Sequence, residues 1–420
     1  MGNSFQQVED RTMNKPLQGV RILDLTHWWS GPEATLVLAA LGADVIKIEA
    51  VQRPDSARAL RARDIDTDPY WFERGSVYNG ANAGKRGITL DLSRPAGRDI
   101  FVRLLPDADV VINNFSARVM SNLGFSHEDL VALNPRLVTV DMTSFGLTGP
   151  WRDLVGFAYV FEQLSGAAAL TGYEDGPPAT LGGASDPTAG YVGALAVLAG
   201  LEARDATGRA QHFDISQTEA MAAFLGAPMI EAQVTGREPE RRGNRHPEWA
   251  PHGVYRCEGD DEWVAIAVRD DAEWSHLVEV LGRPEWALDE RLATRAGRKA
   301  HENLLDERID DWCASRAKES VAAVLWAAGV PSGELVDAFE LESEPQLVDR
   351  GTFQSMAREP IGDIAVPVVP LRMSGTDLSF TRPAPRLGEH TGEVLQELLG
   401  LTDDDLADLE EAAIIGTAPA

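Results

Sequence analysis

The residue best placed to do chemistry in this sequence is Asp186, in the stretch LGGASDPTAGYVGALAVLAGLEARDATGRAQHFDIS at 181–216. Small residues at 182–185 let backbone approach closely, and Asp186-Pro187 then opens an apolar run through residue 201. Asp is a favoured N-cap and Pro fits the first helical position, so the pattern predicts a helix start with one carboxylate at a loop-to-helix junction. Residues 206–208 read as a turn and 211–215 as a short strand. Two roles for Asp186 stay open from these residues alone. It is a helix cap and nothing more, or the helix dipole and free N–H groups keep it ionised beside a ligand, as a nucleophile requires.

The elements that would position Asp186 begin with a strand at 19–25. His27-Trp28-Trp29-Ser30-Gly31-Pro32 then turns into a helix at 34–41, and a second strand follows at 43–49. Strand, short turn, helix and strand make a βαβ unit whose right-handed crossover places the first turn at the carboxyl edge of a parallel sheet. Ligands favour that edge. No G-x-G-x-x-G is present, so the nicotinamide fingerprint is absent. The pattern repeats as a strand at 88–92, a helix at 96–105, strands at 108–113 and 137–143, and a helical stretch ending near 133. This predicts a doubly wound, Rossmann-like α/β domain. The turns at 27–31, 114–117 and 144–149 are expected to face one crevice.

An apolar helix is predicted over 157–170 and another over 217–234. The Arg/Pro/Gly-rich segment at 235–253 reads as a linker, and the texture then changes. A hairpin at 254–256 and 263–268 and charged amphipathic helices near 272–281, 302–314 and 320–328 predict a smaller α+β domain over 254–330. Residues 331–420 return to the large domain of 16–234, with a strand at 364–369 and helices near 391–399 and 402–413. Asp403-Asp404-Asp405 reads as a capped acidic first turn, not a metal site.

At 420 residues, two or three domains are expected. The net charge of -28 argues against nucleic acid or an anionic membrane as partner, since both require basic surface. An anionic ligand must therefore find a local basic patch. Arg53, Arg58, Arg61 and Arg63 form one candidate and Lys85-Arg86 another, the alternative being solvated surface. No apolar run reaches the roughly 18 residues of a membrane span. The first fifteen residues read as a polar flexible N-terminus without a signal peptide's apolar centre, Met13 being an alternative start, and Gln6 breaks the myristoylation pattern. A cytoplasmic location is expected. Cys257 and Cys313 are too few for a disulfide framework and make no metal spacing with the histidines.

Taken together, PLQGVRILDLTHWWSGPEAT, LGADVIKIE, NAGKRGITLDL, ADVVINNF, NPRLVTVDMTSFGLTGP, SDPTAG, ATGRAQHFDIS, APHGVYRCEGDDEWVAIAV and RLGEHT resemble the family III CoA-transferases, in family order from residue 16 to about 401. Each motif is weak alone; number, order and spacing carry the resemblance. It implies that Asp186 carries acyl and CoA groups. A carboxylate attacks an acyl-CoA thioester to give a mixed anhydride, and the released thiolate converts this to an aspartyl-CoA thioester. Gly182 and Gly183 would admit the pantetheine arm and donate N–H groups to an oxyanion. No permanently bound cofactor is implied; acyl-CoA and a carboxylic acid are substrates.

The same resemblance assigns CoA contacts to His27, Trp28, Trp29, Arg58, Lys85, Asn114 and Phe115. Lys85 and Arg58 would pair with phosphates and Phe115 would stack on adenine, while a hydrogen-bonded turn residue is the alternative for His27. A basic residue after the family's NF motif is Asn122 here and the position after KIE is Ala50, so part of the phosphate grip must come from elsewhere. The rival activity in the family is α-methylacyl-CoA racemisation, but its acid/base His and acidic neighbour align with Phe157 and Ala158, which transfer no protons. A non-catalytic CoA-binding subunit of a heteromer is a further alternative, against which Asp186 speaks. Formyl-CoA transferases carry Gln where Trp29 aligns, so Trp28 and Trp29 predict a hydrophobic or aromatic acyl group. The small domain is implied to be an insertion, and two chains to interlock as a homodimer.

Overall fold

Runs of Val, Ile and Leu build one parallel sheet from six short strands: β1 (Arg21–Asp24), β2 (Asp44–Glu49), β3 (Arg86–Thr89), β4 (Val110–Asn113), β5 (Val138–Thr143) and β6 (Gln211–Ser216). The structure is a computed structural model that describes residues 14–60 and 68–420. The expected flexible N-terminus up to Met13, and Arg61 and Arg63 of the first basic patch, lie outside the described residues. In register, Ile22 stands beside Val45 and Val110, and Leu23 beside Ile46 and Val111. Successive side chains point to opposite faces. The first set packs with Ala34 and Leu38 of the helix Ser30–Ala40 and with Ala189 and Val197 of the helix Ser185–Thr207. The second packs with Ile100, Phe101 and Leu104 of Pro95–Leu104 and with Val394 and Leu395 of Thr391–Leu399. Burial of both faces is why these strands read as nearly continuous apolar runs.

Strand order is β3-β2-β1-β4-β5-β6, so the chain leaves β1 in one direction and returns to its other side for β4. Connections diverge at the carboxyl ends of β1 and β4, where an open α/β sheet forms its crevice. The turns that leave those strands are tied to each other there. His27 N–H donates to Asn114 Oδ1 at 2.8 Å, and Asn114 Nδ2 donates to the His27 carbonyl at 2.7 Å.

Several elements differ from expectation for local reasons. The helix after β1 begins at Ser30, with Pro32 in its first turn, where N–H groups have no intrahelical partner anyway. The apolar stretch at 157–170 forms two helices, Ala158–Leu164 and Ala167–Leu170, because Gly166 adopts φ +92° between them. The stretch at 217–234 divides at Leu225 into Gln217–Phe224 and Gly226–Thr235. Gly190 is required by packing, since a Cβ there would stand 2.8 Å from both Glu33 Cβ and the Ser30 carbonyl oxygen.

The chain divides into two compact units, one of Met1–Ala168, Thr180–Gly236 and Pro345–Ala420, the other of Ala169–Ala179 and Arg237–Glu344. The second unit takes in most of the segment that reads as a linker and extends past residue 330. It is built on the antiparallel sheet β7 (His252–Arg256), β8 (Trp263–Ala267) and β9 (Ser332–Glu334). Tyr255, Val264, Ile266, Leu305, Ile309 and Leu325 form its core, which also buries the free thiols Cys257 and Cys313. In the first unit the late part of the chain adds the hairpin β10 (Phe353–Arg358) and β11 (Gly362–Pro367). The last helix, Asp403–Glu411, is opened by a capping box between Thr402 and Asp405. Among the described residues no helix is long and apolar enough to cross a membrane, and no group of His, Cys, Asp or Glu could hold a metal ion.

Beneath the carboxyl edge of the sheet lies a set of buried ion pairs. Lys47 Nζ is 3.0 Å from Asp55 Oδ2, and Lys85 Nζ is 3.3 Å from Asp24 Oδ2. Arg58 grips Glu49 with two bonds of 2.8 and 2.7 Å and Glu73 with one of 2.9 Å. Glu73 also takes Arg358 at 2.5 Å and the Leu387 N–H at 2.8 Å, joining a late part of the chain to the Arg58 cluster. Removing one member of such a set leaves its partners charged and dry. Glu73→Ala should therefore cost about 3–5 kcal/mol in chemical denaturation, and a loss below about 1 kcal/mol, typical of exposed pairs, would contradict this reading.

Candidate active site

Asp186 is not a helix cap. The helix begins at Ser185, with Ala184 at the N-cap position and no side-chain cap bond, so Asp186 sits inside the first turn. Its backbone N–H donates to the Gly183 carbonyl at 3.0 Å, and its carboxylate has no hydrogen-bond partner among the described residues. Gly182 and Gly183 reach φ +71° and +96°, a left-handed conformation that side chains resist. This loop brings the backbone against Trp29, whose ring stands 3.4 Å from where a Cβ on Gly183 would be. Gly182 has open space on that side.

A residue that did not stand out in the sequence holds this loop. Glu162, fully buried on Ala158–Leu164, accepts the Leu181 N–H at 2.8 Å and the Gly183 N–H at 2.9 Å. The Gly183 N–H is therefore engaged and is not free for an oxyanion, contrary to what the resemblance implied for it. The available signal was a lone acid within FAYVFEQLSGAAAL, since Glu is almost never fully buried unless paired.

The turn after β1 joins two groups of residues. On one side, Trp29 lies against the glycine loop and Trp28 meets Phe157 edge to face, with ring centroids 5.2 Å apart. Trp28 adopts φ +65°, an outlier for a bulky residue, and its N–H is held by Asp55 Oδ1 at 2.9 Å. On the other side, His27 and Phe115 line a cavity of about 670 Å³ together with Arg53, Ser56, Trp71 and Ser93. The cavity opens along the ends of β1, β2 and β4, beside the divergence of the sheet connections. Burial lowers the pKa of His27 and favours neutral imidazole, and its ring meets Phe115 edge-on at 5.6 Å.

The remaining predicted contacts are spent on the fold. Asn114 gives its amide to the His27 backbone and, at 3.3 Å, to Ser30 Oγ. Arg58 borders the cavity but is 1% exposed, and its donors go to Glu49, Glu73, Tyr78 Oη and the Pro385 carbonyl. Lys85 is fully buried and binds Asp24, the Pro32 carbonyl and Asn82. Burial lowers the Lys85 ammonium to about 8 against the pull of Asp24. Neither cation presents a donor to a phosphate in this arrangement, which corrects that expectation: carboxylates distant in sequence have already taken them. Among the described residues of the first patch, Arg53 is the exposed cation that borders the cavity.

Burial, and second the charge of Glu162, push the Asp186 carboxyl up to about 7. The folded state thus prefers the neutral acid. That contribution to stability is complete below the ordinary value of 3.8 and is lost as pH rises through about 7. Asp186→Asn, neutral throughout, should match the parent near pH 4 and exceed it by roughly 2 kcal/mol above pH 8, after allowance for partial solvent access. Denaturation curves at the two pH values check this, and an equal difference at both would contradict it.

Residues 17–391 match the family model described as CoA-transferase family III. The chain is 33% identical over 402 residues to the succinyl-CoA–D-citramalate CoA-transferase of Chloroflexus aurantiacus, covering 96% of this chain and 98% of that protein. It is 34% identical over 384 residues to the succinate–glutarate CoA-transferase of Agrobacterium fabrum, covering 91% and 96%. A crystal structure of a CaiB/BaiF family protein from Brucella suis superposes with a TM-score of 0.83 at 31% identity, over 92% of this chain and all of that one. By its motifs, its parallel six-stranded sheet and these matches, the chain belongs to CoA-transferase family III.

Proposed function

We propose that this protein moves CoA from an acyl-CoA donor to a carboxylic acid through covalent states of Asp186. The observation that carries the reading is a partly buried carboxylate without cap duty and, among the described residues, without a counter-ion, placed beside the turn that also walls the 670 Å³ cavity. Asp186 Oδ attacks the thioester carbonyl, the C–S bond breaks and CoA leaves as thiolate. The thiolate attacks the aspartyl carbonyl, expelling the donor acid and leaving aspartyl-CoA. An acceptor carboxylate then reverses both steps and departs as the new thioester. In this reading CoA lies in the cavity, with Phe115 against the adenine, Arg53 near phosphate, and the thioester end passing His27 toward the open flank of Gly182.

Racemisation is disfavoured by the same geometry. Phe157, at the position of the racemase base, is 54% exposed and meets Trp28 edge to face, and Ala158 beside it is equally unable to move a proton. Trp28, Trp29 and Phe157 instead offer an apolar wall near Asp186, which supports a hydrophobic or aromatic acyl group rather than formyl or oxalyl. We read the second unit as the family's inserted small domain and the assembly as a homodimer. The helix Gly226–Thr235 buries none of its residues, and Met229, Ile230 and Val234 stay exposed, as do Tyr191 and Leu195 of the Asp186 helix. Light scattering that found only monomer would remove the dimer reading.

The test is a matrix of acyl-CoA donors against carboxylic acids, read by mass spectrometry of the product thioesters. Asp186→Ala should lower kcat by roughly 10⁴-fold or more, and Arg53→Ala should raise KM for the thioester about tenfold. Each well-placed methylene of the donor should add roughly 1 kcal/mol to specificity. Full turnover by Asp186→Ala would sink the mechanism; preference for formyl or oxalyl donors would remove the acyl assignment alone.

A further inference from the structure

We propose that Glu162 is a positioning residue for Asp186: its carboxylate pins the glycine loop that sets where Asp186 stands, and its charge favours the covalent aspartyl states over the free carboxylate. The inference rests on the CoA-transfer reading and deepens it. A short chain of bonds carries the positioning. Glu162 Oε1 accepts the Gly183 N–H at 2.9 Å, and the Gly183 carbonyl accepts the Asp186 N–H at 3.0 Å. At the loop's flanks, Glu162 Oε2 takes the Leu181 N–H at 2.8 Å, and Ser185 Oγ donates to the Ala158 carbonyl at 3.1 Å. Both ends of the loop are thereby fixed to the helix Ala158–Leu164.

The charge is harder to explain by stability alone. Glu162 is fully buried and forms no ion pair among the described residues, whereas the acids beneath the sheet edge, Asp24, Glu49, Asp55 and Glu73, each have a cation within reach. An unpaired buried carboxylate is costly, and two backbone N–H bonds offset only part of that cost. Placed beside Asp186, it acts on the reaction. Free Asp186 is an anion repelled by Glu162. In the anhydride and in aspartyl-CoA the residue is neutral, because the charge has left with the thiolate or with the expelled acid. Glu162 therefore raises the free-carboxylate state relative to both intermediates, and a more basic carboxylate is also the better nucleophile. Among the described residues, the charge that bears on Asp186 is that of Glu162. Glu33, from Ser30–Ala40, faces Trp29, Lys85 and Tyr191.

Two variants separate the pin from the charge. Glu162→Gln keeps one acceptor and removes the charge. The acidic limb of the pH profile for covalent adduct formation, measured in single turnovers, should fall by roughly one pH unit, with a smaller fraction of enzyme held as aspartyl-CoA. A residue that only supports the loop would slow the reaction and leave the limb in place, and a folded Glu162→Gln enzyme with an unmoved limb would overturn the charge role. Glu162→Asp keeps the charge but is one methylene too short to reach both N–H groups, so its adduct formation above the limb should slow by about tenfold or more. An unchanged rate would overturn the pinning role, and this variant decides the matter if the Gln variant does not fold. If the parent enzyme forms no adduct with any acyl-CoA, the CoA-transfer reading fails separately. Carbon-13 NMR titration of the Asp186 carboxyl in parent and Glu162→Gln then still reads Glu162, and identical midpoints would overturn its effect.

Discussion

A desolvated negative charge without a counter-ion is the condition on which this site depends. Moving a carboxylate out of water is expensive, and proteins ordinarily offset the cost with a cation or several hydrogen bonds. Beneath the carboxyl edge of the sheet that rule is followed throughout, from Asp24 with Lys85 to Glu49 and Glu73 with Arg58. Asp186 breaks it, lying partly buried next to a second acid and, among the described residues, with no cation to neutralise it. On the proposed reading such a carboxylate would gain by becoming an acyl group, which is the chemical property a covalent CoA carrier needs.

The ion pairs around the site make that exception tolerable. Lys47 binds the Thr26 carbonyl at 2.6 Å and Asp55, while Asp55 holds the strained Trp28 N–H. Lys85 reaches the Pro32 carbonyl in the first turn of the next helix. The turn at 26–32 is thus gripped from below by residues of β2 and of the segment before β3, and it presents Trp29 to the glycine loop and Trp28 to Phe157. Lys85, which looked like a phosphate ligand, is part of the scaffold of the turn.

How much of this was legible in the sequence follows from the range of the interactions involved. Asp186, its glycines and the helix after it are encoded in one local stretch, 182–207, and the six parallel strands are encoded by local apolar runs separated by helices. Their positions could be read directly. Interactions across long separations could not. Arg58 and Lys85 look like free cations until Glu49, Glu73 and Asp24 are folded onto them, and Glu73 finds Arg358 across 285 positions. Glu162 meets N–H groups 19 and 21 residues further on, and in sequence it is one acid in an apolar helix. The three residues of β9 carry no alternation of their own and become a strand only beside β8. The cap reading of Asp186 fails because the helix starts two residues earlier than that reading requires, at Ser185 instead of Pro187.

The central claim is that Asp186 itself exchanges atoms with the substrates, and isotope transfer tests it most directly. Enzyme loaded as aspartyl-CoA is given an acceptor acid carrying oxygen-18 in both carboxylate positions for a single turnover, then digested for mass spectrometry. When the acceptor attacks the aspartyl carbonyl and CoA leaves with the new acyl group, one labelled oxygen must remain on the Asp186 carboxylate. The account predicts a single oxygen-18 atom in the peptide containing Asp186 and one in the product thioester. A product thioester formed while that peptide stays unlabelled would contradict it.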